Sequence, residues 1–306
     1  MAAMSTPSSP SSPSTPSRPS ATSVPSPTSA TPATSAVPAG SAASGGGLLA
    51  GRTAVIYGGG GSLGAAVGAE FARQGALVFL AGRTRGPLEE AAAAITAAGG
   101  RAEAAVLDAL DEQAVEDHLA GVVEATGRVD ISFNLVTRGD VQGVPLLAMT
   151  PDDLLRAVDN GLRSTFLTAR AAARRMSEQG AGVILHLNSG SAQGAMPGMG
   201  STGPADAAVE TFMRYLAAEI GAAGVRVCGI WTAGVAGTLT KEKLAKVAGA
   251  HAPDPEAALA GIASMSALHR TPTLADVTGA AVFLASDHAS GLTGTVVNVT
   301  AGLVLR

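Results

Sequence analysis

Val55-Ile56-Tyr57-Gly58-Gly59-Gly60-Gly61-Ser62-Leu63-Gly64-Ala65-Ala66 is the stretch whose reading decides the fold. An apolar run, Thr53 to Tyr57, passes into a glycine-rich turn, and a helix of small residues starts directly after it. That order is what a dinucleotide pyrophosphate needs. Glycines let the backbone approach the phosphates, and the N-terminus of the next helix offers free N–H groups and the positive end of its dipole. Position gives the turn its weight, because it lies between a strand and a helix at the head of a βαβ unit.

Outward from this turn, strand and helix signals alternate. The patterning predicts strands over 53–57, 76–81, 102–107, 129–135, 182–187, 224–230 and 295–299. Helices are predicted over 63–74, 88–98, 112–125, 151–179, 205–221 and 274–286. Thr150 is placed to cap the long fourth helix, with Asp152 and Asp153 in its first turn. Apolar strands separated by helices imply a parallel sheet covered on both faces. With the nucleotide turn after the first strand, the fold is a doubly wound, Rossmann-type α/β domain. Ligands of such folds sit at the carboxyl ends of the strands.

Composition divides the 306 residues in two. Residues 1–46 are almost all Ser, Pro, Thr, Ala and Gly, with Arg18 as their one charge, so this tail is expected to be disordered. Residues 47–306 read as a single dinucleotide-binding domain. A net charge of −4 argues against a nucleic-acid partner. No run reaches the ~18 apolar residues of a membrane span. The tail lacks the basic and apolar regions of a secretory signal, so a cytoplasmic location is expected. Cys228, the one cysteine, lies in a predicted strand and reads as a small core residue. No His/Cys cluster has metal-ligand spacing, so no metal is expected.

The chain resembles the short-chain dehydrogenase/reductase family over essentially all of 50–306. Gly58-Gly59-Gly60-Gly61-Ser62-Leu63-Gly64 is similar to that family's Gly-x-x-x-Gly-x-Gly turn, with Ser62 in the place of the middle glycine. Asp108 matches the family's adenine-contacting Asp. Val129 to Asn134 resembles its fourth strand and the start of an Asn-Asn-Ala-Gly motif, and Val282–Ser286 with Leu292–Val299 resembles its C-terminal helix and last strand. The resemblance implies cofactor contacts from Gly58, Ser62, Leu63, Gly64, Arg83, Asp108 and Asn134. It also implies a homodimer or homotetramer, built through the helices 151–179 and 205–221.

The family works with Asn, Ser, Tyr and Lys, and here the match thins. Ser189 corresponds to the family Ser. Thr202 stands where Tyr belongs, Asp206 where Lys belongs, and Gly161 where the helical Asn belongs. A threonine hydroxyl is far less acidic than a phenol, and Asp206 opposes any anion beside it. Thr202 and Asp206 are four apart and share a helix face, so one reading is a proton relay between them. The other is that Thr202 caps the helix and Asp206 binds a ribose hydroxyl or water. His186 points away from Ser189 by strand alternation and reads as a buried, satisfied histidine. Arg138, Asp140 and Gln142 form either a substrate rim or an ordinary polar loop.

Gly82 replaces the acidic residue with which NAD binders hold the ribose, and Arg83 follows it. That pair favours NADP, with NAD possible. The segment 237–271 occupies the place of the family's substrate lid and is largely apolar behind Lys241, Lys243 and Lys246, which suggests an apolar small-molecule substrate. Three functions stay open. One is an oxidoreductase on a small carbonyl or alcohol. Another is a catalytically degenerate NADP-binding subunit, and the third is a non-redox enzyme on the same fold.

Overall fold

The computed structural model describes residues 46–194, 196–249 and 252–305. The tail expected over 1–46 lies outside them, Gly46 apart. Seven strands form one parallel sheet: β1 (Thr53–Tyr57), β2 (Leu77–Gly82), β3 (Arg101–Val106), β4 (Ile131–Asn134), β5 (Gly182–Asn188), β6 (Val225–Thr232) and β7 (Thr295–Val299). Their order is β3-β2-β1-β4-β5-β6-β7. The order reverses between β1 and β4, which is where a doubly wound sheet opens its ligand crevice.

Helices cover both faces. They are α1 (Ser62–Arg73), α2 (Arg85–Ala97), α3 (Glu112–Thr126), α4 (Pro151–Gln179), α5 (Thr202–Ile220), α6 (Lys241–Ala248), α7 (Pro255–Met265) and α8 (Leu274–Ala285). Strand alternation divides the core accordingly. Ile56, Leu80 and Phe133 pack with Val67, Phe71, Ala281 and Leu284 on one side. Val55 and Tyr57 pack with Val115, Leu119, Met176 and Met213 on the other. Beneath the crevice, buried Asp130 accepts a 2.8 Å bond from Thr53 N and pairs with Arg128 and Arg52, tying the start of β4 to β1.

Thr150 caps α4 as expected, accepting from Asp153 N at 3.1 Å, and Gly180 ends the helix at φ 75°. Most element ends fall within two residues of the expected spans, and the larger differences are two helix starts and one segment. α2 begins at Arg85 rather than 88, because Pro87 fits a first helical turn. Arg85 then pairs along its own helix with Glu89. α5 begins at Thr202 rather than 205, and the segment 237–271 contains α6 and α7, which the sequence reading left as an undivided lid. Among the described residues no helix is long and apolar enough to cross a membrane.

Candidate active site

The glycine turn has the shape the sequence implies. Gly58 sits at φ 82°, and a Cβ there would lie 2.6 Å from the Leu135 carbonyl oxygen of the β4 loop. At Gly64 a Cβ would lie 2.2 Å from the Gly58 carbonyl, so any larger residue would open the turn. α1 has no side-chain cap, leaving the N–H groups of its first turn free for an anion. A cleft of about 340 Å³ opens beside the turn, lined by Gly58, Gly60, Gly61, Gly82, Arg83, Asp108 and Lys246 among others. Its walls fit the adenosine half of a dinucleotide.

The expected cofactor residues are therefore largely assembled. Arg83 and Asp108 face the cleft, and Asp108 Oδ1 also accepts from Leu110 N at 3.0 Å. Ser62 and Leu63 open α1, with Gly64 behind them under the turn. Asn134 is placed otherwise. Its amide lies 3.3–3.5 Å from the hydroxyls of Ser164, Thr165 and Thr168, and its Oδ1 accepts from Val136 N. It fastens β4 to α4, while Leu135, Val136 and Thr137 line the cleft in its stead. The physical reason is the strand's pleat: Asn134 at the end of β4 points to the α4 side.

At the carboxyl end of β5, Ser189 Oγ donates to Asp206 Oδ2 at 2.6 Å and lies 2.7 Å from Ser191 Oγ. Ser189 N donates to the same carboxylate oxygen at 3.2 Å. The other oxygen, Asp206 Oδ1, is in direct ion-pair contact with Arg138 Nη1. Asp206 is fully buried, and Arg138 nearly so. Arg138 also binds Asp140 at 3.0 Å. Burial alone would lower the Arg138 pKa, but Asp206 and Asp140 together hold it above its ordinary value, so the guanidinium stays charged. Asn160 Nδ2 donates to the Arg138 carbonyl at 3.0 Å and pins this loop to α4.

Gly161 explains why Arg138 fits. A Cβ at 161 would lie 2.5 Å from Arg138 Cδ. The space above the Gly161 Cα is thus the space the guanidinium stem occupies. Gly161, Asp206 and Arg138 form one cluster, with the positive charge delivered from the β4 loop and the negative charge carried by α5.

Thr202 and Asp206 do share a face, but their polar atoms do not meet. Thr202 is buried and accepts from Gln142 Nε2 at 3.3 Å, whereas Asp206 turns to Ser189 and Arg138. One turn further along α5, buried Glu210 accepts from Trp231 Nε1 at 2.7 Å and Gln193 Nε2 at 3.0 Å. The sequence reading missed Glu210 and Gln193; the i, i+4 spacing of 202, 206 and 210 was the available signal. His186 is buried and directed away from Ser189, as expected, but its ring nitrogens have no hydrogen-bond partner. Burial, opposed in part by the Cys228 backbone, pushes its pKa down to about 4.

Beside Ser191 lies a mostly apolar pocket of about 800 Å³, lined by Pro145, Leu146, Met196, Pro197 and Met199. Among the described residues no cluster of His, Cys, Asp or Glu could hold a metal ion.

A family model described as enoyl-(acyl carrier protein) reductase matches residues 59–304. The chain belongs to the short-chain dehydrogenase/reductase family. It is 32% identical over 249 residues to the short-chain reductase NovJ of Streptomyces niveus, covering 81% of this chain and 92% of that protein. It is 32% identical to the L-rhamnose 1-dehydrogenase of Azotobacter vinelandii, covering 85% and 99%. Among solved structures, 7α-hydroxysteroid dehydrogenase, complexed with NADH and 7-oxo glycochenodeoxycholic acid, shares 26% identity at a TM-score of 0.72. That match covers 84% of this chain and 96% of the other. The relatives are reductases and dehydrogenases, and a general oxidoreductase function accompanies membership of this family.

Proposed function

We propose that this chain is an NADP-dependent oxidoreductase acting on a small, apolar alcohol or carbonyl compound, with Ser189 and Asp206 handling the proton. The 2.6 Å hydrogen bond from Ser189 Oγ to Asp206 Oδ2 carries this reading. Gly82 and Arg83 support NADP over NAD: no carboxylate repels a 2′-phosphate at the end of β2, and a guanidinium fork is at hand. The dinucleotide, when bound, supplies or accepts the hydride. In oxidation, the substrate hydroxyl passes its proton to Ser189 Oγ while Ser189 passes its own to the Asp206 carboxylate. Arg138 holds the other oxygen of that carboxylate and so fixes its orientation toward Ser189. Reduction runs the same relay in reverse, with Ser189 donating to the carbonyl oxygen and drawing its proton from Asp206. The apolar pocket beside Ser191 supports an apolar substrate.

The test is NADP⁺ reduction, followed by absorbance, across a panel of apolar secondary alcohols. Turnover that falls about 10²–10⁴-fold in Asp206→Asn fits the loss of a general base. Undiminished turnover in that variant contradicts the reading.

A second reading is a cofactor-binding subunit without turnover of its own. The observation in its favour is the replacement of the phenol and ammonium by Thr202 and Asp206, with Arg138 filling the space beside Gly161. It predicts tight NADP⁺ binding and no turnover on any alcohol or ketone. For either reading we place the protein in the cytoplasm, as a homodimer or homotetramer through α4 and α5. Support comes from the apolar groove between these helices, lined by Leu155, Val158, Leu162, Phe166 and Phe212.

A further inference from the structure

The glycine turn and α6 meet beside the nucleotide cleft. Ser62 stands in the turn where a glycine is usual, and Lys243 on α6 places its Nζ 2.9 Å from Ser62 Oγ. Lys246, one turn further along α6, lines the cleft together with Arg83 and Asp108. Among the described residues neither lysine has a carboxylate within salt-bridge distance; on the same helix it is Lys241 that pairs, with Asp254 at 3.8 Å. Burial first, and then the charge of Lys246, lower the Lys243 pKa. Two neighbouring ammonium groups without a salt-bridged carboxylate, beside an uncapped helix N-terminus, make a positive spot at the rim of the cleft.

We infer that Lys243 binds the pyrophosphate of the dinucleotide from the lid side, with Lys246 adding charge over the same cleft. This rests on the nicotinamide-dinucleotide reading above. The glycine turn and the first N–H groups of α1 meet the phosphates from below, and α6 closes on them from above. α6 is positioned for this by Leu244, which is buried, and by Gln142 N, which donates to the Val247 carbonyl at 2.7 Å. Gln142 also reaches Thr202, so the same loop links the lid to the start of α5. The lid thereby recognises the cofactor itself, in addition to covering the substrate.

Isothermal titration of NADP⁺ and NAD⁺ against wild type, Lys243→Ala, Lys243→Arg and Arg83→Ala tests this. The pyrophosphate is common to both dinucleotides, so Lys243→Ala is expected to weaken both by the same factor, about tenfold or more for a charge-assisted contact. Lys243→Arg is expected to restore most of the affinity, while Arg83→Ala weakens NADP⁺ alone. Amide exchange over 241–248 is expected to slow on NADP⁺ binding in wild type and not in Lys243→Ala. Lys243 is exposed, so its loss does not threaten the fold. Unchanged affinities in Lys243→Ala, or a loss confined to NADP⁺, overturn the clamp while leaving the cofactor reading intact. A wild type that binds neither dinucleotide overturns both.

Discussion

At the scale of the residue, the Arg138–Asp206 pair is the centre of the site. A buried carboxylate needs a counter-charge, and breaking such a pair from one side typically costs about 3–5 kcal/mol. Arg138→Met is expected to destabilise by about that much in urea denaturation, because Asp206 has no exposure through which to regain water. The double variant Arg138→Met with Asp206→Asn is expected to recover a large share, since the fully buried charge is then gone and Asp140, the other partner of Arg138, keeps some contact with water. Installing the family's Tyr and Lys at 202 and 206 alone would set the new ammonium against Arg138. Recovery of ketone reductase activity therefore needs Arg138 and Gly161 changed as well, which a four-substitution variant compared with the double can measure. Ser189, Thr202 and Asp206 were legible in the sequence because each sits at a fixed offset from a strand end or a helix start. The ion pair was not, since Arg138 and Asp206 are 68 residues apart and meet only through a loop conformation that no periodicity encodes. Gly161 likewise read as a missing Asn; only the geometry shows it as the space for an arginine stem.

At the scale of the element, β5 and β6 carry a consequence for pH. His186 on β5 is buried against Gly229 of β6, where a Cβ would lie 2.4 Å from the imidazole Cε1. Gly229→Ala is expected to destabilise by about 1–3 kcal/mol through overpacking, read from the denaturation midpoint. The folded-state pKa of His186 is near 4, below the 6.5 of a free imidazole. Between those values the unfolded chain binds the extra proton, so stability rises with pH there and is lost as pH falls through the window. The full effect approaches about 3 kcal/mol, and urea titrations at several pH values should show it weakened in His186→Leu. The strands of this sheet were legible because each is a short apolar run closed by glycine or charge. β7 matches its predicted span residue for residue, 295–299. Helix starts were less legible: Arg85 and Thr202 open helices that apolar periodicity, which needs more than one turn to declare itself, dates about a turn too late. α6 and α7 escaped notice because their sequences are short and rich in alanine, with a weakly marked buried face.

At the scale of the whole molecule, the doubly wound topology places the glycine turn and Ser189 at the same edge of the sheet, although they lie 125–131 residues apart in the chain. The opposite requirement, an outer surface that water wets, is met poorly along α4 and α5. Leu155 is 57% exposed and Phe166 39%, and the Phe166 ring meets Phe212 edge-on at 5.6 Å. Sedimentation is expected to show a dimer or tetramer, and Phe166→Glu to shift it towards monomer; a wild-type monomer at micromolar concentration would contradict the interface. Removal of residues 1–46, whose composition has almost nothing to bury, is expected to leave the melting temperature unchanged. The most direct test of the account's central claim is the rate of NADP⁺ reduction by apolar alcohols in wild type, Ser189→Ala, Asp206→Asn and Thr202→Val. The account predicts measurable wild-type oxidation, a loss of about 10²–10⁴-fold in the Ser189 and Asp206 variants, and little change in Thr202→Val. Oxidation that survives loss of Asp206, or that depends on Thr202 instead, would contradict it.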